Sequence, residues 1–207
     1  MKLRTNQTLY TYWNELRAGR IAPRRLEVEP SRISSVLAET FMLERTTPTT
    51  YRYRLAGTRL CEIFGTELRD TDVLDGWRPS DSALLVRSLT STCTRGAVSL
   101  FVVEASTATQ RRLQLEAIFL PLIHGDDTID RVIGAMAPTI SPHWLGHEPL
   151  TEKQLVRHEQ IWPDGRPHAV VQRASGRAPF LAALPQGRTL TDLRRRFRVV
   201  EGGRSES

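Results

Sequence analysis

Lysine is nearly absent from this chain of 207 residues, with only Lys2 and Lys153 among its 29 basic residues. A genome-wide codon bias toward arginine is the simplest explanation. The alternative is selection for the fixed fork of donors on arginine, which suits phosphate and carboxylate groups. The scarcity of lysine alone does not decide between these two explanations.

Cysteine is scarce as well, and Cys61 and Cys93 are not spaced as a metal or redox motif. A reduced cytoplasmic protein is therefore expected. No apolar run reaches the roughly 18 residues of a membrane-spanning helix, and the N-terminus lacks the apolar region of a secretory signal. We expect a soluble globular domain with extensions and no membrane span.

Motifs for catalysis and cofactor binding are also lacking. The sequence contains no Gly-rich phosphate loop and no nucleophile elbow. His143 and His147 are four residues apart, but Pro142 and Gly146 disfavour a helix there, and a metal would lack a third ligand. We expect no metal, no cofactor and no enzymatic activity, although nothing in the sequence excludes a small enzyme.

The most informative segment that is present runs from Thr40 to Gly65. Apolar side chains alternate with arginines over Tyr51–Leu55, which predicts a half-buried antiparallel strand. The Thr/Pro break before it suits a hairpin. Thr58 then begins a short helix that Gly65 ends. The segment therefore predicts the order strand, strand, helix.

Further periodic segments surround this one. The spacing of apolar residues predicts a helix over Thr8–Ala18, a second helix from Pro30 and a third ending at Arg95. Alternation predicts three more strands, at Ala97–Glu104, Arg112–Leu122 and Asp130–Ile140. The predicted fold is α+β: a five-stranded antiparallel sheet with helices on one face and the N-terminal helix on the other. The predicted division is N-terminal helices at 1–39, a core at 40–140, and a partly irregular C-terminal extension at 141–207.

Three segments together resemble a family of short bacterial PAS-like proteins. These are Tyr12–Arg20 with Pro23 and Arg25 after it, Tyr53–Thr58, and Ile63–Gly65. The resemblance covers about residues 8–140. It implies the PAS sensor fold and a sensory or protein-interaction module in signalling, with no output domain visible in the chain. It identifies neither ligand nor partner protein.

Some PAS photosensors carry a reactive cysteine that binds flavin, and Cys61 lies on the corresponding short helix. Their Asn-Cys-Arg-Phe-Leu-Gln run is absent here, so an inert buried thiol is expected. Haem-binding PAS domains need a ligand such as histidine, and the predicted helix at 81–95 has none. The resemblance therefore gives no reason to expect a cofactor.

Two sets of apolar residues are candidates for binding. PAS ligands lie between the sheet and its helices, so the expected lining of the core and of any small-molecule pocket is Phe41 or Met42, Leu55, Phe64, Leu85, Leu100 and Phe119. The apolar stripe of the N-terminal helix should cover the outer sheet face of its own chain or of a partner. That interaction stripe, from which we predict a homodimer, consists of Leu9, Tyr12, Trp13 and Leu16.

The C-terminal segment is basic, with 11 basic and six acidic residues over 151–207. Its strongest run contains Arg194, Arg195, Arg196 and Arg198. A solvated tail is the simplest interpretation. The alternative function is an anion-binding regulator that takes a nucleotide second messenger or nucleic acid through this run. A high isoelectric point alone does not make a nucleic-acid binder, so nucleic acid is not the expected partner.

Overall fold

A six-stranded antiparallel sheet is the framework of the protein, in a computed structural model that describes residues 1–125 and 127–166. The strands are β1 (Thr40–Arg45), β2 (Tyr51–Ala56), β3 (Val98–Thr107), β4 (Arg112–His124), β5 (Thr128–Pro138) and β6 (Leu150–Ile161). Their order across the sheet is β2-β1-β5-β4-β3-β6. The predicted α+β fold is confirmed, but the predicted five strands become six.

Within the described residues, three α-helices and two 3-10 helices accompany the sheet. The α-helices are α1 (Arg4–Arg17), α2 (Thr58–Phe64) and α3 (Pro79–Arg95), and the 3-10 helices span Arg25–Glu27 and Pro30–Glu39. Helix α1 therefore begins four residues before the predicted start, and the second predicted helix is a 3-10 helix. Across the described ranges, every helix is too short or too polar to span a lipid bilayer.

Alternating residues of β4 separate the two faces of the sheet. The Phe119 ring packs on the inner face, where it meets the rings of Phe41 and Phe101 at centroid distances of 5.2 and 5.3 Å. Helices α2 and α3 cover this face. On the outer face lies α1, whose Trp13 donates a 2.8 Å hydrogen bond from Nε1 to the carbonyl oxygen of Pro121. The predicted placement of helices on opposite faces is confirmed.

Gly134 in β5 makes room for the aromatic cluster of the inner face. It pairs with Phe41 on one side and Phe119 on the other. A methyl group built on Gly134 would overlap the Phe41 ring and the carbonyl oxygen of Ile118. The absence of a side chain lets the two rings meet across β5, so they fill the centre of the sheet.

Hydrogen bonds hold helix α1 in place at both of its ends. Near its start, the buried Glu116 carboxylate accepts hydrogen bonds from the backbone N–H groups of Lys2 and Leu3 and from the Asn6 side chain, at 2.9–3.0 Å. At its end, Arg17 donates two hydrogen bonds to Asp164, at 2.8 and 3.1 Å. The second contact joins α1 to the segment that follows β6.

Strand β6 lies in the part of the chain that was predicted to be a partly irregular extension. It pairs antiparallel with β3 along its whole length, but the register shifts twice. Because one of these bulges lies between them, the buried residues Leu150 and Lys153 are three positions apart rather than two. The period-two signal of a strand is therefore broken, which is why alternation does not predict β6.

The loop between α2 and α3, residues 65–78, covers both edges of the sheet. On the β2 edge, the N–H of Tyr53 donates to the carbonyl oxygen of Thr71 at 3.0 Å. On the β6 edge, Lys153 donates from its backbone N–H to Gly76 at 2.6 Å and accepts from Arg78 at 3.1 Å. The loop thereby connects two strands at opposite ends of the sheet order.

Candidate functional site

A pocket of about 160 Å³ lies beneath this loop, on the inner side of the sheet and open to solvent. We call it the Lys153 pocket. Its walls come from β2, α2, the 65–78 loop and β6. The lining residues are Tyr53, Phe64, Thr66, Leu68, Thr71, Asp72, Asp75, Gly76, Leu150, Thr151 and Lys153.

The pairing of β6 with β3 places Lys153 in this pocket. Lys153 stands opposite Ala105, which lies on the inner face in phase with Phe101. The 65–78 loop approaches closely because Gly76 has φ +75°, and a methyl group there would lie 2.8 Å from the carbonyl oxygen of Thr151. Glycine is favoured at such a positive φ.

The distinctive property of Lys153 is burial without an ion pair among the described residues. The residue is only 7% exposed. Its Nζ lies 5.0 Å from the ring centroid of Phe64 and 5.9 Å from that of Trp77. Among the described residues, no side-chain hydrogen bond or ion pair to Nζ is formed. Burial lowers the pKa of Lys153 to about 8, an effect that the negative charge of Asp75 opposes.

Three further ionisable groups line the same pocket. Burial raises the pKa of the Tyr53 hydroxyl far above its usual value, and the charges of Asp75 and Asp72 raise it further. The pocket therefore holds an amine, a phenol that stays protonated and two carboxylates. Such a set can bind a polar group and exchange protons with it.

The structure divides the residues that were predicted to line a central pocket. Phe41, Phe119 and the fully buried Leu85 belong to the inner face, and Phe64 lines the Lys153 pocket. Met42 pairs with Ile133 and Leu100 pairs with Ile118, which puts both on the outer face. Leu55 is 54% exposed on β2. The prediction is wrong for these last three residues because it ignored which face each strand position occupies.

The predicted interaction stripe lies against its own sheet. Leu9, Tyr12 and Trp13 are buried within the single chain, and Leu16 is partly buried against the same core. The stripe therefore leaves no broad apolar face free for a partner. The homodimer stays a prediction. The arginine run at Arg194, Arg195, Arg196 and Arg198 lies outside the described residues.

The cysteines differ in their surroundings. Cys61 on α2 is partly buried, with its Sγ 3.8 Å from a carboxylate oxygen of Glu67. Burial raises the pKa of the Cys93 thiol to about 12, so this thiol is unreactive. Within residues 1–125 and 127–166, no group of three or more His, Cys, Asp or Glu side chains is arranged to hold a metal ion.

Reasoning from sequence does not predict the Lys153 pocket, because β6 carries the lysine and its alternation is broken. The one signal available is composition: Lys153 is one of two lysines in an arginine-rich chain. Leu155 lies two residues after Lys153. Together with Leu150 it gives the segment an apolar side.

Two solved structures illustrate the matches to this chain, both at low sequence identity. The LOV protein of Rhodobacter sphaeroides is 12% identical, with a TM-score of 0.41, over 50% of this chain and 60% of that chain. A sensory box histidine kinase/response regulator from Burkholderia thailandensis E264 is 13% identical, with a TM-score of 0.37, over 54% of this chain and 85% of that one. The match thus spans less than two thirds of the LOV protein.

No curated protein of matching sequence was found. A family model described as a PAS domain matches residues 1–137, which is well over half of the chain and contains every strand except β6. It agrees with the resemblance expected from the sequence and with the arrangement of sheet and helices. This chain belongs to the PAS domain family.

Proposed function

We propose that this protein is a sensory PAS module whose input is a small molecule bound in the Lys153 pocket. The PAS fold supports a role in sensing or signalling. The observation that supports the input site is Lys153, a largely buried residue that lines a pocket open to solvent and whose ammonium forms no hydrogen bond or ion pair with a side chain among the described residues. Burying an unpaired charge costs folding free energy, and such groups concentrate at functional sites.

The position of the pocket also supports this input site over the centre of the sheet. Aromatic rings of Phe41, Phe101 and Phe119 occupy the centre in edge-to-face contact. The Lys153 pocket, in contrast, is open to solvent beside the sheet edge. Its volume is below the ~300 Å³ at the lower end of drug-sized sites, so a small ligand fits it best.

Strand β6 supplies a route for the output. A ligand beside Lys153 would bear on the backbone hydrogen bonds between β6 and the 65–78 loop, and β6 leads into the turn that carries Asp164. The paired carboxylate of Asp164 contacts Arg17 at the end of α1. A change at the pocket would therefore reach α1, whose position a partner protein or a second copy of the chain can detect.

Native mass spectrometry of the purified protein tests this function, because it reports a retained small molecule and the oligomeric state together. We expect a retained small molecule, or a compound from a screen that raises the melting temperature by mass action. Ligand should also slow hydrogen exchange in residues 65–78 and in β6. A matched pair of variants locates the site: Thr66→Trp narrows the pocket, whereas Thr46→Trp changes an exposed threonine in the β1–β2 turn.

The expected result is that Thr66→Trp abolishes binding and Thr46→Trp preserves it. Binding that survives Thr66→Trp in a folded protein would place the input site elsewhere. If no compound is retained and none changes the melting temperature or the exchange of the loop, the small-molecule function is wrong. A protein-interaction role would then be the remaining function that the PAS fold supports.

A further inference from the structure

We propose that Lys153 captures small neutral aldehydes or ketones as a reversible imine. This inference rests on the proposed function in one respect, because both place the ligand in the Lys153 pocket. It adds the chemical class of the ligand and the atom that binds it. The argument starts from the position of Nζ, which is buried against two aromatic rings in a pocket that opens to solvent.

The first step concerns the form of the amine. The ring faces of Phe64 and Trp77 attract the ammonium, but a lysine that is largely buried and lacks an ion pair is poorly solvated, and this loss of solvation favours the neutral form. A desolvated lysine of this kind is the usual nucleophile toward carbonyl compounds. Burial holds the pKa of Lys153 near 8, which leaves a useful fraction of free amine at neutral pH.

The second step concerns the charge of the ligand. Asp72 and Asp75 line the same pocket as Lys153 and repel an anion. The remaining walls include the apolar side chains of Phe64, Leu68 and Leu150. A carboxylate or phosphate would therefore meet two like charges, whereas a short uncharged aldehyde would meet an apolar wall and an amine.

The chemical step balances without any oxidant or reductant. The Nζ lone pair attacks the carbonyl carbon, and a proton moves from nitrogen to oxygen to give a carbinolamine. The C–O bond then breaks, the oxygen leaves as water, and a C=N bond forms. Solvent, to which the pocket is open, supplies the proton that the departing water carries away, and the iminium then returns its N–H proton to solvent to leave the neutral imine. Hydrolysis reverses the sequence.

The presence of only two lysines makes the test direct. The full-length protein is incubated with propanal and cyanoborohydride, which reduces an imine to a stable secondary amine, and peptide mass spectrometry locates the propyl group. We expect Lys153 to react at least ~10-fold faster than the exposed Lys2, since a lysine of lower pKa holds more free amine at neutral pH. Equal rates at the two lysines would overturn the proposal.

Three controls tie the reaction to the folded pocket. In urea the preference for Lys153 should vanish, and a preference that persists there would overturn the proposal. Lys153→Arg keeps a positive charge but should remove labelling at that position while Lys2 reacts as before. Thr66→Trp should slow Lys153 several-fold and Thr46→Trp should not. If Thr66→Trp fails to fold, the bulky aldehyde pivalaldehyde is used with the native protein instead. Pivalaldehyde should react at Lys153 much more slowly than propanal does.

Glyoxylate provides the comparison with an anion. We expect propanal to label Lys153 faster than glyoxylate does, relative to the rates at Lys2. Faster labelling by glyoxylate would overturn the neutral-ligand proposal and indicate an anion site. If native mass spectrometry finds a bound small molecule but Lys153 is not labelled, the imine is wrong and the sensory function stands. If Lys153 is labelled but hydrogen exchange in residues 65–78 does not change, the imine proposal stands and the proposed sensory function is wrong.

Discussion

At the scale of single residues, the buried Lys153 side chain should lower the free energy of unfolding of the protein. The folded state holds the pKa of Lys153 near 8, below its usual 10.5, because burial disfavours the charged form. Below pH 8 the lysine is charged in both states, so the full penalty applies. Stability should rise between about pH 8 and 10.5, where the unfolded state binds more protons than the folded state.

Lys153→Met should therefore increase the free energy of unfolding at neutral pH by up to about 3 kcal/mol, from ~1.4 kcal/mol per pKa unit. Urea denaturation measures this, and the advantage should disappear as the pH approaches 10.5. Lys2→Met is the matched control, since Lys2 is exposed and its loss should change stability by less than ~0.5 kcal/mol. A Lys153→Met variant that is less stable than the native protein at neutral pH would contradict this prediction.

Glu116 should stabilise the protein in a pH-dependent way. Burial raises the pKa of this carboxyl, but hydrogen bonds from the backbone of Leu3 and Lys2 and from the Asn6 side chain lower it below its usual value. A lowered folded pKa means that the stabilisation is present above the unfolded pKa near 4.3 and is lost as the pH falls through the folded value.

Glu116→Gln should cost about 1–3 kcal/mol at neutral pH, because an amide NH₂ would face backbone N–H groups that now donate to a carboxylate. The difference from the native protein should shrink in acid, where the native carboxyl is protonated. Thermal denaturation from neutral to acidic pH measures it. Glu152→Gln, at an exposed position on β6, is the control with an expected change near zero. A constant difference at every pH would show that charge has no part in it.

At the scale of whole elements, burial separates two leucines that the sequence treats alike. Leu85 on α3 is fully buried, whereas Leu55 on β2 is 54% exposed. Leu85→Ala should cost ~2–5 kcal/mol, as large-to-small changes in a core do. Leu55→Ala should cost less than about 1 kcal/mol. Chemical denaturation of the two variants decides this, and similar losses would mean that the assignment of faces is wrong.

The contrast between β2 and β6 shows which elements periodicity can predict. In β2 the buried residues Tyr51 and Tyr53 alternate with exposed arginines, and the one register shift, at Arg54, comes near the end of the alternating segment. Beyond this shift Leu55 is exposed. Strand β6 contains two bulges relative to β3, and each bulge shifts the phase of the pattern. Alternation therefore predicts β2 and misses β6, together with the lysine that β6 carries.

The pocket depends on contacts that no local pattern encodes. Sequence predicts that α1 is amphipathic and that Thr66–Pro79 is a loop with at most one helical turn. It does not show that this loop pairs with Tyr53 on one edge and Lys153 on the other, because both pairings join segments far apart in the chain. Likewise, the choice of Phe41 for the inner face and Met42 for the outer face follows from the register with β5. The fold class could be predicted, and the position of the site could not.

At the scale of the whole molecule, β6 extends the PAS fold beyond the part that the family model matches. The match ends at residue 137, but β6 pairs with the edge of β3 and supplies Lys153. Asp164, which follows β6, accepts two hydrogen bonds from the nearly buried Arg17 side chain on α1. The segment predicted to be an extension is therefore part of the core for residues 150–161.

Truncation tests whether β6 is part of the folding unit. A chain that ends at Ile140 should lose cooperative unfolding or aggregate, because it would expose the backbone groups of β3 and the ring of Phe101. A chain that ends at Arg166 should keep a melting temperature within a few degrees of the full chain, because it retains β6 and the contact between Arg17 and Asp164. Calorimetry and size-exclusion chromatography of the two truncated chains provide the measurement. If the shorter chain unfolds cooperatively near the native melting temperature, β6 is an accessory strand, and Lys153 can be removed with it without loss of the PAS core.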